Sequence, residues 1–119
     1  MAANPPLGRN WYYTAERLKL NPHLKWGLLT WDQEKDQGNI EKHGISFEEA
    51  SSVFFDDKAT MFDDPEHSEE EDRFLLLGMN EKANLCIVCH CYRESDTIIR
   101  IISARKASKK EEKRYVRGI

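Results

Sequence analysis

The amino-acid sequence predicts an α+β domain in which helices pack against one antiparallel sheet of about four strands. Two observations carry this. An S-x-x-E capping box, Ser46 to Glu49, opens a segment whose apolar residues Phe47, Ala50, Val53 and Phe54 recur at helical spacing. Farther along, residues 73–79, 85–93 and 97–104 form three β-branched or aliphatic runs joined by short turn-rich links, the pattern of an antiparallel meander.

Taken in order, residues 27–31 have strand character, and Asp32 then offers an N-cap to a polar helix that runs to His43. Gly44 ends it as the residue just past the helix. The capped second helix follows. Asp56-Asp57 and Asp63-Asp64-Pro65 punctuate the chain, with 58–62 a candidate edge strand between them, and the acidic run 69–72 reads as a solvated loop because like charges so close repel. After the meander, 107–116 is a Lys/Arg/Glu segment containing Tyr115, a final basic helix. Residues 1–24 follow no such pattern: prolines, then Trp11-Tyr12-Tyr13, then a short amphipathic run stopping at Asn21-Pro22. They read as an extension outside the core domain, which spans 25–119.

A chain of 119 residues supports one modest hydrophobic core. Its 33% charged residues demand an ionic surface, and 39% hydrophobic content suffices for a folded interior. No apolar run approaches a membrane span, and the start lacks the basic-then-apolar order of a secretory signal, so the expectation is a cytosolic protein without membrane contact. The net charge of −3 conceals an asymmetry. Residues 31–72 carry fifteen acidic side chains against three lysines, whereas residues 100–119 carry eight Lys/Arg against Glu111 and Glu112. Phosphates respond to local potential, so a basic end on an acidic chain is compatible with a polyanion site, and equally with a solvated helix face folded back on the acidic half.

Cys86-Ile-Val-Cys89-His90 has the C-x-x-C-H form of a c-type haem attachment, and Cys91 adds a third thiol. On a strand, however, Cys86 and Cys89 point to opposite faces, while Cys89 pairs only with Cys91 and Cys86 only with His90. Two ligands per face do not make a tetrahedral metal site. The cysteines are expected to be small buried hydrophobes, with no metal and no cofactor.

The unusual polar residues are Lys42-His43 at a helix end, Arg73, His90, Arg93, Arg100, Arg105 and the basic tail to Tyr115. A histidine inside an apolar strand is most often a core residue. An arginine inside an isoleucine strand, as at Arg100, calls for a partner or an open cleft. Arg100 and Arg105 are five apart and share a face only if a bulge or the strand end intervenes.

The sequence resembles the BrnT toxins, ribonuclease halves of bacterial type II toxin–antitoxin pairs with a RelE-like fold. Matching stretches are Trp31-Asp32, Asn39, the block from Lys42 to Ala50, Val53-Phe54, Asp64-Pro65, Arg73, Gly78, His90, Arg93, the block from Arg100 to Ala107, Glu111 and Tyr115. The leading extension departs from the family. The resemblance implies metal-independent RNA cleavage, in which the ribose 2′-hydroxyl attacks the neighbouring phosphorus. Histidine suits the proton transfers and arginine's planar fork suits phosphate oxygens. On this basis Arg73, Arg93 and Arg105 hold the scissile phosphate, His43 or His90 moves protons, and Tyr115 stacks on a base or donates a proton. Lys42 and Glu49 are reserves for the base, and Lys42, Arg100, Lys106, Lys109 and Lys110 track the RNA backbone. The implied partners are RNA, including messenger RNA on the ribosome, and a ribbon-helix-helix antitoxin through which alone the complex would contact DNA. The rival readings are a non-catalytic RNA- or partner-binding module and a metal or haem protein built on the cysteines.

Overall fold

The computed structural model describes residues 11–13, 28–64, 73–93 and 98–117. The acidic run 69–72, the turn at 94–96, Pro65 and the amphipathic run ending at Asn21-Pro22 lie outside the described residues. The elements are β1 (Trp11–Tyr13), β2 (Leu28–Asp32), α1 (Gln33–His43), α2 (Phe47–Ser51) running into a 3-10 turn (Ser52–Phe55), β3 (Thr60–Asp63), β4 (Phe74–Met79), β5 (Leu85–Arg93), β6 (Ile98–Lys106) and α3 (Lys109–Arg117).

The local signals act as expected. Asp32 caps α1 by accepting from the Glu34 N–H at 2.8 Å. Gly44, at φ 73°, closes it with its N–H on the Ile40 carbonyl. Only a residue tolerant of the left-handed region fits there. Ser46 Oγ accepts the Glu49 N–H at 3.0 Å, one half of the capping box. The other half is not made: the buried Glu49 carboxylate instead accepts from Asn80 Nδ2 at 2.7 Å and lies 3.7 Å from Lys82 Nζ. That contact ties α2 to the β4–β5 turn, where Asn80 Oδ1 also accepts the N–H groups of Lys82 and Asn84.

The sheet differs from the expectation of about four antiparallel strands. Its order is β1-β2-β6-β5-β4-β3, and β2 runs parallel to β6, with Leu28 opposite Ile98 and Trp31 opposite Ile101. The sheet is therefore mixed, with β4, β5 and β6 forming the antiparallel meander and the short β1 added outside β2. Turn chemistry reveals hairpins between neighbouring runs. A pairing between residues seventy positions apart leaves no such local signal, since it is set by which edge remains open once the helices have packed.

Two details of β6 position the site. After Trp31 the chain turns into α1, so the β2 side of β6 beyond Ile101 has no strand beside it. Asn39 of α1 takes that place. Its amide accepts the Ala104 N–H at 3.1 Å and donates to the Ala104 carbonyl at 2.9 Å, and its other donor reaches the Ile45 carbonyl at 2.8 Å. The second detail is a bulge. Cys89 faces Ser103 and His90 faces Ile101, so Ile102 has no partner on β5 and the alternation of β6 inverts there.

The helices α1 and α2 cover one face of the sheet. Phe47, Phe54, Leu76, Val88, Ile99 and Ile101 form the centre of the core, each at most 2% exposed. Gly78 lies under the 3-10 turn so closely that a Cβ on it would sit 2.8 Å from Val53 Cγ1. This packing leaves the opposite sheet face for other use.

Candidate active site

The inversion in β6 decides which arginines meet. Residues directly opposite in a ladder share a face. Arg100 lies opposite Cys91 and Arg105 opposite Ile87, and Cys91 and Ile87 are four apart on β5, hence on one side. Without the bulge Arg100 and Arg105 would face opposite ways. With it, both stand on the face away from α1 and α2, and Arg105 lines a cleft of about 660 Å³.

That cleft is built from six elements. His43 contributes from the end of α1, where Asn39 one turn earlier pins the helix to β6. Phe62 and Asp63 come from β3, with Asp64 just past it. Arg73, immediately before β4, and Leu75 close one side, Ile87 and Cys89 of β5 form the floor, and Ile102, Ser103 and Arg105 of β6 close the other. Arg114 of α3 lies at the rim with its guanidinium 4.4 Å from the centre of the Phe62 ring. Asp64 is buried, its N–H donates to the Arg73 carbonyl, and its carboxylate receives the Cys89 thiol at 3.7 Å. In the sequence Asp64 marks a turn and a family match, and its burial against Cys89 appears only in the fold.

Arg105 is paired. Its Nη1 and Nη2 each donate to Glu111 at 3.0 Å, and Nη1 also reaches the Lys106 carbonyl. Glu111 is in turn the last residue of an S-x-x-E box from Ser108: its N–H donates to Ser108 Oγ at 3.2 Å and its Oε1 accepts the Ser108 N–H at 2.8 Å. The Arg105 guanidinium holds the Glu111 carboxyl down at about 2. This capping box repeats the pattern that marks α2, so the signal was present in the sequence.

Other expected residues lie elsewhere. His90 is on the helix-covered face, fully buried, its ring 5.0 Å from Phe54 and 5.5 Å from Tyr92, with Nδ1 on the Val88 carbonyl at 3.2 Å. Burial pushes its pKa down to about 4. It cannot meet the cleft through the sheet, and an imidazole so placed packs rather than transfers protons. Tyr115 does not line the cleft: its hydroxyl donates to Asp56 Oδ2 at 2.8 Å, and burial together with that carboxylate raises it to about 12. Asp56 also accepts the Met79 N–H, so Tyr115 anchors α3 to the end of β4. Arg93, exposed at the end of β5, and Arg100 share the cleft's face without lining it. Lys42, Lys106, Lys109 and Lys110 are exposed. Glu49, bound to Asn80 in the core, is a structural carboxylate.

The thiols divide as the alternation requires, Cys86 in the core and Cys89 in the cleft floor, so the C-x-x-C-H pattern does not converge. Burial pushes both up to about 11, which keeps them protonated at neutral pH. Among the described residues no group of three or more His, Cys, Asp or Glu is placed to hold a metal ion. No helix among them is long and apolar enough to cross a membrane.

Residues 31–111 match the family described as ribonuclease toxin, BrnT, of type II toxin–antitoxin systems. The chain belongs to this family. The fold is also similar to the 1.1 Å crystal structure of the Brucella abortus ribonuclease toxin BrnT, with a TM-score of 0.51, 26% sequence identity, and coverage of 66% of this chain and 94% of that one. No curated protein matches. Membership in the BrnT family makes the chain a ribonuclease toxin, with RNA as substrate and an antitoxin as partner.

The position of His90 has a measurable consequence. The unfolded imidazole takes a proton near pH 6.5 and the folded one only at about 4, so the unfolded state binds more protons throughout that window. Stability is therefore complete above pH 6.5 and falls as pH drops towards 4. Urea unfolding should show the chain about 2 kcal/mol less stable at pH 5 than at pH 7, and His90→Phe should reduce that difference. The Glu111 carboxyl contributes only between 4.5 and about 2, below the range compared.

Proposed function

We propose that this BrnT-family chain is a metal-independent endoribonuclease that inhibits translation by cutting RNA through attack of the 2′-hydroxyl on the adjacent phosphorus. The observation that carries the proposal is the convergence of Arg73, Arg105 and Arg114 with His43 on one cleft. Arg73 and Arg105 grip the non-bridging oxygens, whose charge grows in the phosphorane and which planar guanidinium groups match in geometry. His43 takes the 2′-hydroxyl proton. The leaving 5′-oxygen takes one from water in the open cleft, giving a 2′,3′-cyclic phosphate and a 5′-hydroxyl.

Arg93 and Arg100, on the same face beyond the cleft, and exposed Lys42, Lys106, Lys109 and Lys110 hold flanking phosphates, so binding weakens with salt. The antitoxin, of the ribbon-helix-helix kind, covers the basic cleft and supplies any DNA contact, and the pair works in the cytoplasm. The activity follows RelE-like ribonucleases, for which RNA on the ribosome is a second form of substrate.

The test is incubation of the purified chain with RNA in EDTA, with and without ribosomes, followed by analysis of the ends. Cyclic phosphate at the new 3′ ends supports the mechanism. RNA left intact in EDTA but cut on addition of a divalent ion would overturn it.

A further inference from the structure

The Arg105–Glu111 pair raises a choice with opposite consequences. A carboxylate on the guanidinium is either a competitor occupying the phosphate's place or a holder that aims the cation. Geometry separates the two. Arginine has five N–H donors in a plane. Glu111 takes one on each terminal nitrogen and the Lys106 carbonyl takes the other on Nη1. What remains is the Nε–H and the second Nη2–H, adjacent on one side of the guanidinium and without partners among the described residues.

That edge is itself a two-donor fork of the spacing that binds a phosphate, and Arg105 lines the cleft with its side chain 44% exposed. The carboxylate opposite it is not loose. Glu111 is held at the first turn of α3 by Ser108 in a closed capping box, and its side chain is only 22% exposed. α3 in turn is docked by Tyr115 on Asp56 and Arg114 on Phe62. The helix terminus therefore clamps one edge of the guanidinium and leaves the other to a ligand.

We infer that Glu111 is a positioning residue, which orients Arg105 so that its Nε–Nη2 edge receives a phosphate oxygen pair in the cleft. This deepens the proposed ribonuclease reading and rests on it for the identity of the natural phosphate, but the geometry predicts phosphate binding whether or not cleavage follows. An arginine on a strand end without this clamp samples many rotamers, and each bond to an anion must first restrict them.

The test uses inorganic phosphate as the probe and the Arg105 Nε–H resonance as the reporter, in 15N-labelled full-length chain. The parent should show an ordered Nε–H signal that shifts as phosphate is added. Glu111→Gln, which loses the charge and one acceptor, should broaden that signal and weaken phosphate binding about tenfold. Glu111→Asp should fall between the two. Ser108→Ala separates aim from helix capping, because it removes the hydroxyl that accepts the Glu111 N–H yet keeps both the Ser108 N–H on Glu111 Oε1 and the carboxylate on Arg105, and it should bind phosphate as the parent does. Tighter phosphate binding by Glu111→Gln would make the carboxylate a competitor and overturn the inference, as would equal losses in Glu111→Gln and Ser108→Ala. RNA cleavage by the same samples reads out the other claim: a parent that binds phosphate at Arg105 yet leaves RNA whole contradicts the nuclease mechanism and not the role of Glu111.

Discussion

Replacing Arg105 with alanine should lower the rate of RNA cleavage by about a hundredfold to a thousandfold, the loss seen when one preorganised donor to developing charge is removed. The guanidinium stands in the cleft on a strand end fixed by a bulge and aimed by a carboxylate, so little of its binding energy goes into ordering itself. Lysine at the same position restores the charge without the planar fork and should recover only part of the rate. Initial rates on one RNA at several concentrations check this, with circular dichroism to confirm that the fold persists. Growth arrest on expression should vanish in step with cleavage. Arrest that survives in Arg105→Ala would favour the binding module over the enzyme.

The second large effect is on the fold. Asn39→Leu should destabilise the chain by roughly 3–5 kcal/mol, because it removes three hydrogen bonds and leaves the Ala104 N–H, the Ala104 carbonyl and the Ile45 carbonyl in a buried region without partners. Urea unfolding at pH 7 measures it. Ala104 adjoins Arg105, so the same change should also loosen the cleft, and activity should fall below what the lost fraction of folded protein explains. A loss under about 1 kcal/mol would mean that water replaces the amide and that Asn39 does not stand in for a strand beside Ala104.

Signals confined to a few residues were readable from the sequence. Asp32, Gly44 and Ser46 mark helix ends because capping is a contact across one turn, and the three runs of the meander are visible as β-branched or aliphatic stretches between turn-rich links, with side chains alternating in direction along each strand. The separation of Cys86 from Cys89 followed from the same alternation. What stayed hidden depends on residues far apart. Nothing near β2 says that it will lie parallel to β6, and nothing near Ile102 says that the strand will bulge there, although the uneven spacing of Arg100 and Arg105 posed the question.

His90 illustrates a further limit. Both sides of β5 are buried for most of its length, so its apolar pattern cannot say which side is core and which is cleft. The histidine fell on the core side. Glu111 shows the opposite case, a residue with a legible capping pattern whose second partner, Arg105, appears only when the helix folds back on the strand.

The proposed cleavage requires that one cleft, on the sheet face away from α1 and α2, hold the scissile phosphate between Arg73 and Arg105. A crystal structure of the chain with a short RNA blocked by 2′-O-methyl groups decides it. A backbone phosphate should lie within hydrogen-bond distance of both guanidinium groups, with the blocked 2′-oxygen beside His43. RNA bound only along the outer surface of α3, with the cleft empty, would refute the mechanism.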